Sequence, residues 1–284
     1  MFIAVTRFSL YLPKSSAWIA SREVNNEKTL ENYKEKLFNE ERLNFRINFL
    51  SKITIPNLKK STKNVNFLQI IEYSKILPEK FKLILKDLES KNDFIKLNEY
   101  DENGMSNKTT QDITISHFNL DDFNKDSFLG QFVLDDDDCL SLDFFDKSKK
   151  YINKSFYGFA ISHGLGVYGL FDQNNKIEHI CESYYPKVNI GLIRVGVFRS
   201  EQKKIVFARL GTHTKSDRFL PTVIDSREIS YWWSKHKSQD TSSLEMYSKD
   251  VVKIISSERT NEDIISEKFG KNFIKDLKSL GNKN

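Results

Sequence analysis

A chain of 284 residues in which 39% of the side chains are hydrophobic and 29% charged can bury a sizeable core. That balance excludes a disordered chain, and no uninterrupted apolar stretch is long enough to cross a bilayer. The formal charge of +5 is small beside 44 basic and 39 acidic side chains spread along the sequence, which suits an anionic ligand or a peripheral membrane contact and does not announce nucleic acid.

The opening MFIAVTRFSLYLP carries no basic residue ahead of its apolar run, and Arg7 falls inside the run. It reads as a strand over residues 2–9 and not as a signal peptide. From Leu30 to about Lys60 the spacing changes: Leu37, Leu43, Ile47, Leu50 and Ile53 recur three, four or six apart, which predicts helical segments with Pro56 as a kink or an end. Val65 to Tyr73 reads as a second strand, Pro78 opens a helix, and Phe94 to Asn98 reads as a third strand before a polar loop from Asp101 to Thr114. Strand and helix alternating in this way predict an α/β protein with a mostly parallel sheet flanked by helices.

In FLGQFVLDDDDCLSLDFF the apolar residues Phe132 to Leu134 end abruptly in Asp135, Asp136, Asp137 and Asp138. Acids at the carboxyl end of a strand stand where open α/β sheets bind their ligands. Eight of the eleven glycines lie between Gly130 and Gly211 in short aromatic runs, which predicts hairpins of a smaller antiparallel region. From about Glu245 the chain reads as helical and basic. Two cysteines, Cys139 and Cys181, are too few for a disulfide framework, so a reducing, cytoplasmic setting is the expectation.

Four adjacent carboxylates cannot all stay ionised without a compensating cation. If successive side chains point to opposite sides, Asp135 and Asp137 face one way and Asp136 and Asp138 the other. One such pair is enough to hold Mg²⁺ or Mn²⁺ against a diphosphate, since these ions are usually held by one or two carboxylates plus substrate phosphates. The bland alternative is an acidic loop that solvates itself or caps a helix. Gly164, Gly166 and Gly169 spell a GxGxxG pattern, but VYGLFDQNNKI after them reads as strand and turn, so they are taken as hairpin punctuation. Cys139, beside the acids, reads as a core thiol kept protonated. No GxSxG elbow, Walker A loop or HExxH motif occurs.

FVLDDDDCLSLDFF looks like the apolar strand and DXD element of GT-A glycosyltransferases, and the chain resembles the rhamnosyltransferase family. VTRFS, ERLNFR, EYSKILPEKF, YYPKVNIGL and WWSKHKSQDT carry the rest of the likeness, as family texture. The resemblance implies a GT-A-like domain over residues 1–245 with a helical extension over 246–284. It implies metal-dependent transfer of a sugar, rhamnose by the family's label, from a nucleoside diphosphate sugar to a hydroxyl of a glycan or other acceptor. Asp135 and Asp137 would hold the metal with Asp138 beside them, and Asp135 and Asp136 would lie at the donor's phosphates. Thr6, Arg7 and Ser9, on the strand that borders the nucleotide, become donor contacts, although Arg7 can equally be a surface ion-pair partner. A late histidine, His213 or His236, would add a metal or phosphate contact, against the alternative of a structural imidazole. Asp225 and Asp240 are the candidate bases for an inverting reaction, against a helix cap and a loop-orienting acid respectively. Two other readings use the same acids, namely a metal-dependent phosphodiester hydrolase and a non-catalytic calcium- or polyanion-binding module.

Overall fold

The computed structural model describes residues 1–13, 15, 19–239 and 245–281. In chain order the first half comprises β1 (Phe2–Phe8), α1 (Ile19–Arg22), α2 (Glu27–Leu37), α3 (Glu40–Phe49), α4 (Ile55–Ser61), β2 (Phe67–Ser74), α5 (Glu79–Lys91), β3 (Ile95–Tyr100), α6 (Thr110–His117) and β4 (Ser127–Val133). After the acids come β5 (Cys139–Leu140), α7 (Phe144–Ser148), β6 (Ala160–Ser162), β7 (Leu165–Phe171), β8 (Ile177–Tyr184), β9 (Ile193–Arg199), β10 (Lys204–Val206), β11 (Thr222–Ile224) and β12 (Tyr231–Lys235). Helices α8 (Glu245–Ser256), α9 (Glu262–Phe269) and α10 (Phe273–Ser279) complete the described chain.

Phe2, Ala4 and Phe8 of β1 join one core cluster while Ile3 joins another on the opposite face of the sheet. A strand apolar on both faces belongs in the middle of a covered sheet. It lies there: the main sheet runs β11-β6-β9-β4-β1-β2-β3, with β10 on β9. The β1–β2, β2–β3, β1–β4 and β6–β11 pairs are parallel, and β9 is the strand that runs against its neighbours. A second sheet, β5-β12-β7-β8, is antiparallel except where β7 meets β12. The chain therefore has the expected α/β architecture, a mostly parallel sheet flanked by helices with a smaller sheet that is largely antiparallel.

Of the two expectations for Pro56, a kink or an end, the structure overturns the end. Instead of ending a helix, Pro56 sits in the first turn of α4. A π-helical turn, Leu50–Thr54, precedes it, and Ile55 N–H reaches back to Leu50 O. Widening the turn accommodates a residue that has no N–H to donate. The loop read as far as Thr114 is helical from Thr110, because the Thr109 and Asp112 side chains cap each other's backbone N–H groups. The glycines of GLGVYG punctuate no phosphate loop. They flank or occupy β7, where a Cβ on Gly169 would come within 1.8 Å of the Trp232 indole.

Two features of the topology position the site. The chain moves from β1 through β2 to β3 on one side, then returns by way of α6 to β4 on the other side of β1. The carboxyl ends of β1 and β4 thus flank a topological switch point, where open α/β sheets leave a crevice for ligands. Helices α9 and α10 join a second core cluster: Ile265, Phe269, Phe273, Ile274 and Leu277 bury with Trp232, Phe45 and Phe49. No helix among the described residues is long and apolar enough to cross a membrane.

Candidate active site

The four acids form a turn between β4 and β5, closed by Asp138 N–H to Asp135 O at 3.2 Å. Because the chain turns here, the expected strand alternation fails. Asp136 and Asp137 both meet Arg46 of α3, Asp136 through Oδ1 to Nη1 and Asp137 through Oδ2 to Nη2 at 3.1 Å. Arg42 lies one turn earlier on α3 and donates from Nη1 to Ser9 Oγ at 2.8 Å and to Leu37 O at 2.9 Å. Part of the positive charge demanded by the acids is therefore internal.

The acids divide by what each one touches. Although burial opposes its ionisation, Asp137 is held well below the usual carboxylate range by Arg46 and by His236. His236 Nε2 lies 2.8 Å from Asp137 Oδ2, and His236 Nδ1 lies 2.7 Å from Ser238 Oγ. Burial lowers the imidazole's own pKa, against the pull of Asp137. Asp136 is fully buried, its Oδ2 has no hydrogen-bond partner among the described residues, and burial pushes it up to about 6 despite Arg46. Asp138 turns toward β12: its Oδ1 accepts the Ser234 N–H at 3.1 Å, while its own carbonyl accepts Thr54 Oγ1 at 2.9 Å. Burial and the neighbouring Asp137 and Asp135 push its pKa well up. Asp138 thus anchors the turn to the second sheet.

Asp135 alone is only half-buried. It lines a small cleft of about 90 Å³ with Arg7, Ser9, Tyr33, Arg42 and Arg46. Burial, then Asp137 and Asp136, push its pKa up to about 7, against Arg46 and Arg7. Ser9 closes β1 with a positive φ of 47°, a conformation that a non-glycine residue holds only when its surroundings fix it. Here the Arg42 guanidinium does so.

Other expectations are redistributed. Thr6 is fully buried; its Oγ1 donates to Leu134 O at 2.7 Å and accepts from Gln69 Nε2 at 2.9 Å. It clamps the ends of β1 and β4 together. His213 Nδ1 bonds to Lys187 O at 2.7 Å, and the ring lines a second, larger cleft of about 830 Å³. Asp225 receives both Arg227 Nε and Nη2 at 2.8 Å and the Tyr151 hydroxyl at 3.2 Å. Arg227 holds it below the carboxylate range, which makes it a poor proton acceptor at neutral pH. Asp240 lies outside the described residues. Of the tryptophan pair, Trp232 is core, while half-buried Trp233 packs against Tyr168 and Tyr185 at 5.2 and 5.9 Å.

Arg42 and Arg46 were not among the residues that the sequence singled out. Their signal was present in ERLNFR, two arginines one helical turn apart with the apolar Leu43 and Phe45 between them.

Among the described residues no three His, Cys, Asp or Glu side chains are gathered as a metal-ligand set. A hard divalent ion of the Mg²⁺ kind characteristically takes one or two carboxylates and completes its shell with phosphate and water. Asp135, open to the cleft, and Asp137, in contact with His236, fit that donor chemistry.

The family model described as "Putative rhamnosyl transferase" matches residues 1–248. No curated protein matches the chain. Among solved structures, residues 1–349 of S. aureus TarS are similar, with a TM-score of 0.31 and 10% identity, covering 97% of this chain and 71% of that chain.

Proposed function

We propose the function from one premise: this chain belongs to the rhamnosyl transferase family, whose model spans most of its length. It is accordingly a glycosyltransferase and binds a sugar donor and an acceptor. Our reading is that the donor is a nucleoside diphosphate sugar, rhamnose by the family's description, and that a divalent metal assists its transfer to a hydroxyl of a glycan.

One observation carries this reading. The carboxyl ends of β1 and β4, adjacent at the switch point, turn Arg7, Ser9 and Asp135 into a single cleft that Arg42 and Arg46 also line. Guanidinium groups suit phosphate oxygens, which they can bind in pairs. Asp135 and Asp137, with His236 beside them, would hold Mg²⁺ or Mn²⁺, which when bound supplies neutralisation of the charge that develops on the departing diphosphate. The chain's own groups do the rest. Arg7, at the end of β1, offers hydrogen bonds to the phosphates; Arg46 keeps the acid turn from opening by holding Asp136 and Asp137 together; Thr6 fixes the spacing of the two strand ends. Preorganised cations at the position where negative charge grows lower the barrier without reorganising during the reaction.

Calorimetric titration of UDP, dTDP and GDP, each with and without Mn²⁺, tests the reading. At least one nucleotide should bind in a Mn²⁺-dependent manner, and Asp137→Asn should weaken it at least 100-fold, about 2.7 kcal/mol. Metal-independent binding, or an Asp137→Asn titration indistinguishable from the parent, would reject the metal role. Cleavage of bis(p-nitrophenyl) phosphate, or Ca²⁺ binding without any nucleotide binding, would instead favour the hydrolase or the calcium-binding alternative.

A further inference from the structure

Apart from Arg7, the larger cleft, about 830 Å³ in volume, has no part in the donor reading. Its floor is one face of the main sheet near the carboxyl ends of β1 and β4, where Val5, Arg7, Gln131 and Val133 meet Arg194 of β9. Its wall is the loop between β10 and β11. That loop contributes Arg209, His213 and Lys215, whereas the single carboxylate lining the cleft is Glu72. Glu72 is already engaged: the Tyr100 hydroxyl donates to it at 3.0 Å, and burial raises its pKa against the pull of Arg7.

Arg194 is the most informative group. It is partly buried, and desolvation lowers its pKa. Its Nε donates to Gln131 Oε1 at 3.0 Å, Nη2 donates to the same oxygen, and its guanidinium lies 4.5 Å from the centre of the Phe207 ring. Among the described residues no carboxylate lies within ion-pair distance of it. A neutral amide and an aromatic face orient the fork but leave its charge uncompensated, and a partly desolvated charge is costly unless something of opposite sign completes it. The loop above is also shaped. Gly211 has a φ of +70°, and a Cβ there would meet the Phe219 ring at 2.5 Å. That ring packs under the Arg209 guanidinium at 5.4 Å.

Arg7 lines both this cleft and the small one that holds Asp135, so a ligand here would lie one side chain away from the donor phosphates. We propose that this cleft is the acceptor site and takes a glycan bearing a phosphate or carboxylate group, with Arg194, Arg209 and Lys215 reading the anion. The inference rests on the transferase reading and adds the class of acceptor. Arg46 is engaged by Asp136 and Asp137 and Arg42 by Ser9 and the Leu37 carbonyl, whereas Arg194, Arg209 and Lys215 line the larger cleft and not the small one.

The test uses the full chain and three oligosaccharide probes of similar length: a phosphorylated maltooligosaccharide, a hexuronate oligosaccharide and neutral maltooligosaccharide. Each is titrated at low and at physiological salt, in parallel with the nucleotide that binds best with Mn²⁺. At least one acidic probe should bind at least tenfold tighter than the neutral one, with affinity falling as salt rises; the tighter of the two acidic probes identifies the acid group. Arg209→Gln with Lys215→Gln, on exposed positions where folding is not at stake, should weaken that probe at least tenfold while leaving nucleotide affinity within twofold. Arg194→Gln should do the same. Equal binding of the neutral probe, or acidic-probe binding unchanged in these variants, overturns the proposal. Parallel loss of nucleotide binding in the loop variant also overturns it, because the cations would then belong to the donor. Asp137→Asn separates the two readings: it should abolish nucleotide binding and spare the acidic probe, so a failed donor reading and a failed acceptor reading give opposite patterns.

Discussion

Replacing Arg46 by methionine keeps most of the side chain's volume and removes the charge that two acids share. The exposures of the three side chains are 10% for Arg46, 0% for Asp136 and 4% for Asp137, so solvent does little to screen the loss. Removing one partner of a buried ion pair costs about 3–5 kcal/mol, because it leaves an uncompensated buried charge; against a typical domain stability of about 5–15 kcal/mol the loss is large. The acids have one remedy, which is to take up a proton. Without Arg46, burial and its neighbours should drive Asp137 from below the carboxylate range toward the values of about 7 and 6 held by Asp135 and Asp136. Its native-state pKa would then lie above its unfolded-state value. The native variant would bind a proton that the unfolded chain has released, so its stability should recover as pH falls, by about 1.4 kcal/mol per pH unit for one proton. The expected penalty relative to the parent is about 3–5 kcal/mol at pH 7.5, shrinking by roughly 1–2 kcal/mol at pH 5.5. Urea unfolding of both proteins at pH 5.5, 6.5 and 7.5 in metal-free buffer measures it. A penalty below about 1 kcal/mol, or one that does not change with pH, would refute the account of Arg46 as the internal counterion.

Two further outcomes follow from the same geometry. Asp135→Asn should stabilise the metal-free protein by about 1–3 kcal/mol at pH 8, because a carboxyl whose folded pKa is raised weighs against folding above its unfolded value. That gain should vanish as pH drops toward 4, and the same variant should lose Mn²⁺-dependent nucleotide binding. A variant less stable than the parent at pH 8 contradicts the assignment. Thr6→Val leaves the Leu134 carbonyl and the Gln69 amide each without its buried partner, which should cost about 1–3 kcal/mol. Thr6→Ser should restore most of it in urea melts, and equal stability of the valine variant would show that the clamp is dispensable.

Much of this arrangement was legible because parallel strands announce themselves. FIAVTRF, FLQIIEYS and FLGQFV are apolar runs with sharp polar ends, and the end of the third run displays its acids at once. The direction of those acids was not legible. Period-two alternation holds only while the chain stays extended, and the turn at Asp136 and Asp137 points both toward Arg46. The arginines were hidden for the converse reason. A pair four residues apart on a helix ordinarily marks a solvated face, whereas here the packing of α3 buries Arg46 against the acid turn and Arg42 against Ser9 and the Leu37 carbonyl. Thr6 looked like a donor contact from its place at the end of β1. That the strand end beside it needed clamping depends on which strand is the neighbour, a long-range fact that no local pattern records.

Four identical residues in a row thus acquire different tasks from the elements they meet. Asp136 meets α3 and Asp138 meets β12, both buried; Asp137 is shared between Arg46 and His236; Asp135 faces the cleft. A knot of acids held only by a bound metal would spring apart in its absence, whereas one tied to α3 on one side and β12 on the other keeps its shape. The internal cations are therefore compatible with a metal role: they neutralise the acids that set the shape of the turn and leave Asp135, the least compensated of the exposed oxygens, facing the place where a diphosphate would lie. On this reasoning, neutral substitutions at Asp136 and Asp138 act through folding, and those at Asp135 and Asp137 act through ligand binding.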